Sequence, residues 1–360
     1  MNSEYSSAKI RNGRLAILLH DGLQEARGKT GLSLLRYSQS EIVAVVDRVY
    51  AGQSLGELTG IDRQVPIVAS VTESLQYQPD ILMIGIAPSG GALPDLWWAD
   101  LDQAVTQGLS IVNGLHTHLI PVIEQRYNRS IAEVLKSDQW IWDIRQEPPG
   151  LTIANAAARS LSCQRVLTVG TDMAIGKMST SLELVRVAQS QGIRSKLLAT
   201  GQGGLMLGAE GIPLDAVRVD FAAGAVERMV MRCGQDCDLL VVEGQGSLLH
   251  PGSTATLPLL RGSQPTHLIL AHRAGQTHVR NHPYVPIPPL TQVIKLYDSV
   301  AEAAGALQPA RVVGISLNTQ GLSDQQAQAA IDQVQSEVAL PCTDPVRFGA
   351  RPLLVALSDR

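Results

Sequence analysis

Leu167-Thr-Val-Gly-Thr-Asp-Met-Ala-Ile-Gly-Lys-Met-Ser-Thr180 is the stretch on which the reading of this chain turns. The apolar run Arg165–Val169 leads into it as a buried strand would, and Met178–Gln189 behind it has the composition of a helix. A loop bounded by glycines and closed by a lysine, between strand and helix, is the setting a phosphate loop requires. Gly170 and Gly176 let the backbone curl, so that N–H groups turn inward at a helix N-terminus, where the helix dipole favours an anion. Lys177 adds a mobile positive charge that reaches terminal phosphates. The candidate cofactor-binding residues are therefore Gly170, Thr171, Asp172, Ile175, Gly176, Lys177, Met178, Ser179 and Thr180. The spacing departs from the common loop. Five residues separate the two glycines, and Met178 stands where a hydroxyl would hold Mg²⁺, leaving Ser179 or Thr180 as substitutes.

Working outward, the second domain offers further polar groups at strand ends. Leu239–Val242 is an apolar run that ends in Glu243, followed by Gly-Gln-Gly-Ser247. A carboxylate there sits at the edge of a parallel sheet where ligands bind, as a Mg²⁺ ligand or as a base. Thr200, Gly201, Gln202 and Gly203 follow the predicted strand Arg194–Leu198, and Asp220 closes a predicted strand Ala216–Asp220. With Gln245 and Ser247, these are candidate substrate-binding residues. Further predicted strands are Thr266–Ala271, Val312–Leu317 and the region 338–343.

Five of the eight histidines fall between 250 and 282. Ala271-His-Arg-Ala-Gly-Gln-Thr-His-Val-Arg-Asn-His282 brings three of them together with Arg273 and Arg280 after an apolar strand. Cationic and titratable groups at a strand end suit a carboxylate substrate, with His272 or His278 for proton transfer. His278 and His282 have the spacing of two helical zinc ligands, but Pro283 and the prolines at 286, 288 and 289 make the segment a loop.

The N-terminal part reads as a second α/β unit. Leu15–His20, Glu41–Asp47, Ile67–Ser70, Ile81–Ile86, Ile111–Asn113 and Trp140–Ile144 are short apolar runs separated by helical stretches, the pattern of a doubly wound parallel sheet. Asp47 ends the second strand, where a dinucleotide fold keeps its ribose-binding acid, yet no G-x-G-x-x-G follows the first strand. Gly85–Gly91 and Gly114–His118 are turns at other strand ends. Residues 1–12 read as a flexible tail, 13–146 as the Rossmann-like domain, 147–152 as a linker within Arg145–Thr152, and 153–360 as the P-loop domain.

Composition agrees with two packed α/β domains. Apolar residues make up 45% and charged residues 17%, which excludes wholesale disorder. Aromatics at 4% leave the cores to Leu, Val, Ile and Ala. A net charge of −4 without a long basic run argues against a nucleic-acid partner. Cys163, Cys233, Cys237 and Cys342 are too few and scattered for a disulfide framework. They are expected as buried thiols, with Cys233 and Cys237 on one helix face. No apolar run approaches the roughly 20 residues of a membrane span, and residues 1–13 are too polar for a signal peptide. The expectation is a cytoplasmic protein without membrane association, forming homo-oligomers.

The G-T-D-x-x-x-G-K loop resembles that of dethiobiotin synthetases. Over nearly its whole length the chain resembles a family long catalogued as a domain of unknown function, which pairs a Rossmann-like N-terminal domain with a C-terminal P-loop domain. The matching stretches, in order, are Val68-Ala-Ser, Ile84-Gly-Ile-Ala-Pro-Ser-Gly-Gly91, Gly114-Leu-His116, Gly170-Thr-Asp…Gly-Lys-Met178, Ala199-Thr-Gly-Gln-Gly203, Asp220-Phe-Ala-Ala-Gly-Ala225, Val242-Glu-Gly-Gln-Gly-Ser247 and Gly262-Ser-Gln-Pro265. Met after the loop lysine belongs to that family's pattern. Characterised members are described as D-glutamate N-acetyltransferases, so the resemblance implies acetyl-CoA as cofactor and a small acidic amino acid as substrate. Lys177, Glu243, His272 and His278 are then the catalytic candidates, and Arg273 and Arg280 the carboxylate binders. The loop's likeness to dethiobiotin synthetases leaves open an ATP- and Mg²⁺-dependent ligase or kinase-like enzyme, with Glu243 and Ser179 as metal ligands. A non-catalytic nucleotide-binding protein is the third reading.

Overall fold

The computed structural model describes residues 3–86 and 93–358. The chain divides into two compact units, Met1–Gln146 with Gln202–Ala209, and Glu147–Gly201 with Glu210–Arg360. Both are α/β units built on parallel sheets.

In the first unit, β1 (Arg14–Leu18), β2 (Glu41–Val46), β3 (Ile67–Val68), β4 (Ile81–Ile84), β5 (Ser110–Asn113) and β6 (Ile141–Asp143) form one sheet in the order β3-β2-β1-β4-β5-β6. The order reverses between β1 and β4, as in doubly wound dinucleotide folds. Gly31 N, in the first turn of the helix Lys29–Tyr37, donates to Gly85 O at 2.7 Å. Asp47 is fully buried, and its Oδ1 accepts from Val49 N at 3.0 Å, an ordinary turn closure. The stretch Ser3–Asn12, expected as a tail, is a helix. Ile10 is fully buried and its carbonyl accepts from Ser40 Oγ at 2.9 Å. The sequence SEYSSAKIRN is too polar to offer an apolar stripe for a periodicity argument to find.

In the second unit, β7 (Gln164–Gly170), β8 (Ser195–Ala199), β9 (Glu210–Gly211), β10 (Leu239–Val242), β11 (His267–Arg273), β12 (Arg311–Asn318) and β13 (Cys342–Thr343) form a sheet ordered β13-β12-β11-β7-β10-β8-β9. Its strands are near-continuous apolar runs because helices cover both faces. Alternation assigns the two cores: Leu167, Val169, Leu240, Val242, Leu268 and Leu270 enter one, while Val166, Leu239, Val241 and Ile269 enter the other. The helix Lys177–Ser190 covers the second core with Leu184, Val185 and Ala188. Each buried leucine, isoleucine or valine contributes roughly 1.5–3 kcal/mol.

Two expectations fail in this unit. The strand foreseen at 216–220 is a 3-10 turn, Leu214–Ala216, leading into the helix Val219–Cys233. Val217 and Val219 suggested a strand, but Ala222, Ala225, Val226, Met229, Val230 and Cys233 recur at helical spacing and bury together. Asp220 is therefore exposed in a helix's first turn instead of at a strand end. The same helix stops at Cys233, so Cys237 lies beyond it and the two share no helix face, although Cys237 Sγ donates to Cys233 O at 3.4 Å. All four cysteines are buried and unpaired. Among the described residues no helix is long and apolar enough to cross a membrane.

Candidate functional site

β7 lies between β10 and β11, so the loop that leaves its carboxyl end is flanked by Glu243 on one side and by His272 and Arg273 on the other. The curl itself is intact. Ala174 (φ 54°) and Gly176 (φ 117°) both hold positive φ, and the helix starts at Lys177 with Gly176 as its cap. Only glycine takes the second of these cheaply, while Ala174 carries strain of order 1 kcal/mol that the surroundings must hold. Three distant side chains hold it. Tyr297 Oη, fully buried, donates to Gly170 O at 2.7 Å. Asn318 Nδ2 donates to Ile175 O at 3.1 Å. Gln276 Nε2 donates to Asp172 Oδ2 at 2.6 Å. Met173 and Ala174 remain exposed at the mouth. The first-turn amides of this helix have no intrahelical acceptor, so the curl presents the donors a phosphate needs.

Lys177 and Glu243 form the electrostatic centre. Lys177 Nζ donates to Asp172 O at 2.7 Å. Burial drives its pKa down from 10.5 to about 8, against the pull of Asp172 and Glu243. Burial pushes Glu243 up from 4.5 to about 7, opposed by the amides of Thr200 and Gly201 and by Lys177. Its Oε2 accepts from Thr200 N at 3.0 Å and its Oε1 from Gln245 Nε2 at 3.2 Å. Gly244 is required next to it, since a Cβ there would lie 1.6 Å from Thr168 O and 3.0 Å from Lys177 Cδ. Both oxygens of Glu243 already accept hydrogen bonds, and the Thr180 hydroxyl is spent on Gly176 O (2.9 Å) and Ser316 Oγ (2.7 Å) beneath the helix. Ser179 is half-buried in the first helical turn. No group of three His, Cys, Asp or Glu suited to a metal occurs among the described residues.

The His/Arg segment is bound to the phosphate loop through Asp172. This carboxylate is buried and accepts from Gln276 Nε2 and from Arg280 N at 2.7 Å. The segment is a bent loop closed by a bridge between His278 and Pro286, as its prolines indicated. Roles inside it differ from expectation. His272 Nδ1 lies 2.9 Å from Thr171 Oγ1, and burial lowers its pKa to about 4. At that pKa the neutral ring is a weak proton acceptor, and its contact with Thr171 ties it to the loop. His278 is exposed, its Nδ1 3.0 Å from Thr277 Oγ1. Arg273 reaches Gln320 Oε1 at 3.1 Å. Ser247 Oγ accepts from Leu249 N at 3.1 Å, which closes its own turn. Gln202 and Gly203 start a short helix, Gln202–Met206, that belongs to the first unit, while Thr200 and Gly201 stay with Glu243. Of the Gly85–Gly91 turn, residues 87–91 lie outside the described residues.

His250 belongs to the site although sequence spacing did not single it out. Gly252 N donates to its Nδ1 at 3.1 Å, and its ring meets His282 edge-to-face at 4.8 Å. Burial lowers its pKa, with Asp172 opposing and with His282, Lys177 and Arg280 acting in the same direction as burial. A neutral imidazole whose Nδ1 accepts must carry its proton on Nε2, so His250 is a donor.

Fold and site together define a P-loop protein whose phosphate loop sits centrally in a seven-stranded parallel sheet, preceded in the chain by a Rossmann-like unit. The P-loop domain of a domain of unknown function, DUF1611, matches residues 152–354, and its Rossmann-like N-terminal domain matches residues 48–147. The chain belongs to the DUF1611 family. A crystal structure of a DUF1611 family protein from Anabaena variabilis ATCC 29413 is 60% identical, with a TM-score of 0.92, and the match covers 97% of this chain and all of that one. A D-glutamate N-acetyltransferase from Tritonibacter scottomollicae is 37% identical over 77% of this chain and 80% of its own length. Another of that name, from Pseudoalteromonas sp., is 32% identical over 80% of this chain and 84% of its own.

Proposed function

We propose that this chain is an N-acetyltransferase that moves the acetyl group of acetyl-CoA to the amine of an acidic amino acid such as D-glutamate. The observation that carries the reading is the double hold of Asp172 on Gln276 and on the Arg280 amide. It joins an anion-binding curl to a loop bearing Arg273, Arg280 and His282, so that phosphates and a carboxylate substrate find donors in one place. The names of the two relatives support the same reading.

Acetyl-CoA supplies an acyl carbon activated as a thioester. The chain's residues supply the rest. The curl's amides and Lys177 hold phosphates. The amine must lose a proton before the N–C bond forms and the C–S bond breaks, the sulfur leaving as thiol. Glu243, poised near pH 7, is the base the site offers. His250 Nε2–H is a preset donor for the negative charge that grows on the acyl oxygen. Lys177 faces both groups electrostatically. An ATP-dependent ligase would need a metal-holding hydroxyl; Met178 has none and Thr180 is engaged elsewhere, which leaves that role to Ser179.

Purified protein incubated with D-glutamate and either acetyl-CoA or Mg-ATP tests this. Release of free thiol that depends on the amino acid is expected. ADP release without thiol, or tight nucleotide binding without turnover, refutes the proposal in favour of a ligase or a nucleotide-binding protein respectively. L-glutamate in parallel reads the enantiomer preference.

A further inference from the structure

Beside the phosphate loop, within the second unit, lies a cavity of about 320 Å³. Met173 of the loop lines it, as do Thr200 and Gln245, which both hydrogen-bond to Glu243. Its charge pattern is unlike that of the Asp172 cluster. Among the described residues no Lys, Arg or His lines it, and Asp215 is the single ionisable one in its lining. Phosphates or the carboxylates of an acidic amino acid would meet there no countercharge and one like charge, which disfavours them. What the wall offers instead is apolar surface from Leu214, Val217 and Ala222 together with neutral hydrogen-bonding groups on Ser253, Thr254 and Gln245. Such a lining suits an uncharged chain that carries amides, and the size lies at the lower end of small-ligand pockets.

We infer that this cavity takes the uncharged, amide-bearing arm of the acyl donor, the stretch between its phosphates and its sulfur. The arm then enters past Met173 and ends at Thr200 and Gln245, next to the Glu243 carboxylate. The acidic acceptor is left to the cationic side of the loop. This inference rests on the acetyl-transfer reading and adds where the donor's neutral half lies.

The test uses calorimetry with two probes, CoA and its nucleotide half, 3′-phosphoadenosine 5′-diphosphate, which lacks the arm. Ala222→Leu narrows the cavity from inside. Val219→Trp crowds it from a position that is 75% exposed and outside the core, so this variant keeps the test valid if the first does not fold. The expected result is a Kd for CoA at least tenfold higher in each folded variant, with the nucleotide half bound as in the wild type within twofold. An unchanged CoA affinity overturns the inference. So does an equal loss for both probes, which would put the nucleotide in the cavity, or a rise in KM for the amino acid alone, which would put the acceptor there. A wild type that binds neither probe overturns the acetyl-transfer reading as well, which separates the two failures.

Discussion

Replacing Lys177 by Met should make the chain more stable and its phosphate binding weaker. The lysine's pKa falls from 10.5 to about 8 on burial, so near neutral pH its charge costs the folded state roughly 3 kcal/mol at 1.36 kcal/mol per unit. Methionine keeps the apolar stem that packs beside Gly244 but loses the hydrogen bond to Asp172 O, worth about 1 kcal/mol. The difference, about 2 kcal/mol, corresponds to a rise in Tm of roughly 4–8 °C for a unit of this size. The sign with pH follows from the folded pKa lying below the unfolded one. The penalty is complete below pH 8 and fades as pH rises toward 10.5, where the unfolded chain holds more protons. The gain in Tm should therefore shrink across that window. Binding moves oppositely: a charge-assisted hydrogen bond to phosphate is worth roughly 1.5–3 kcal/mol, a ten- to hundredfold loss of affinity. Scanning fluorimetry from pH 7 to 10 and calorimetry with 3′-phosphoadenosine 5′-diphosphate read both. A variant that melts below the wild type and binds the nucleotide equally would refute the argument.

Glu243→Gln should remove the acid limb of the kcat/KM profile, which in the wild type rises through about pH 7 as the carboxylate loses its proton. An acid limb that survives the substitution assigns the base elsewhere. His250→Ala should lower kcat about a hundredfold at unchanged KM, and His250→Gln, which keeps an N–H donor, should recover part of the loss; equal losses would end the donor role. Asp172→Ala frees the Arg280 amide and the Gln276 side chain, so hydrogen exchange at residues 276–282 should accelerate at least tenfold. Unchanged protection would mean that the His/Arg loop is held by other contacts.

What was legible in the chain was what lies close along it. The curl, its lysine and the following helix occupy the consecutive stretch Gly170–Ser190, and β10 announces itself as an apolar run that stops at an acid. The alternation of apolar runs with helical stretches implied two parallel sheets, and both are present. The supports of the site were not legible, because their partners are remote. Tyr297 is 127 residues from Gly170, and in an amphipathic helix beside Val293 and Ala301 it reads as a core residue. Asn318 is 143 residues from Ile175. His250 follows a glycine-rich turn, and only the fold brings it toward Asp172 and His282. The surroundings of His272 were hidden for a related reason: a strand end after an apolar run looks open in sequence, yet the ring is buried with its Nδ1 2.9 Å from Thr171 Oγ1.

The two buried ionisable groups explain why such a site is kept at a cost to the fold. Lys177 and Glu243 are driven toward neutrality by the same burial, one downward and one upward, and each only partly restores the other's charge. A site of this kind is far from electrostatic balance before any anion arrives. Phosphates brought to the curl favour the charged lysine and raise its pKa, so the desolvation cost is recovered in binding. The Thr200 and Gly201 amides favour the ionised form of Glu243. On the proposed acetyl-transfer reading, those amides keep a base available in the same place where a lysine must stay protonated. Exchanging the pair for well-packed apolar residues would yield a more stable chain with neither capacity.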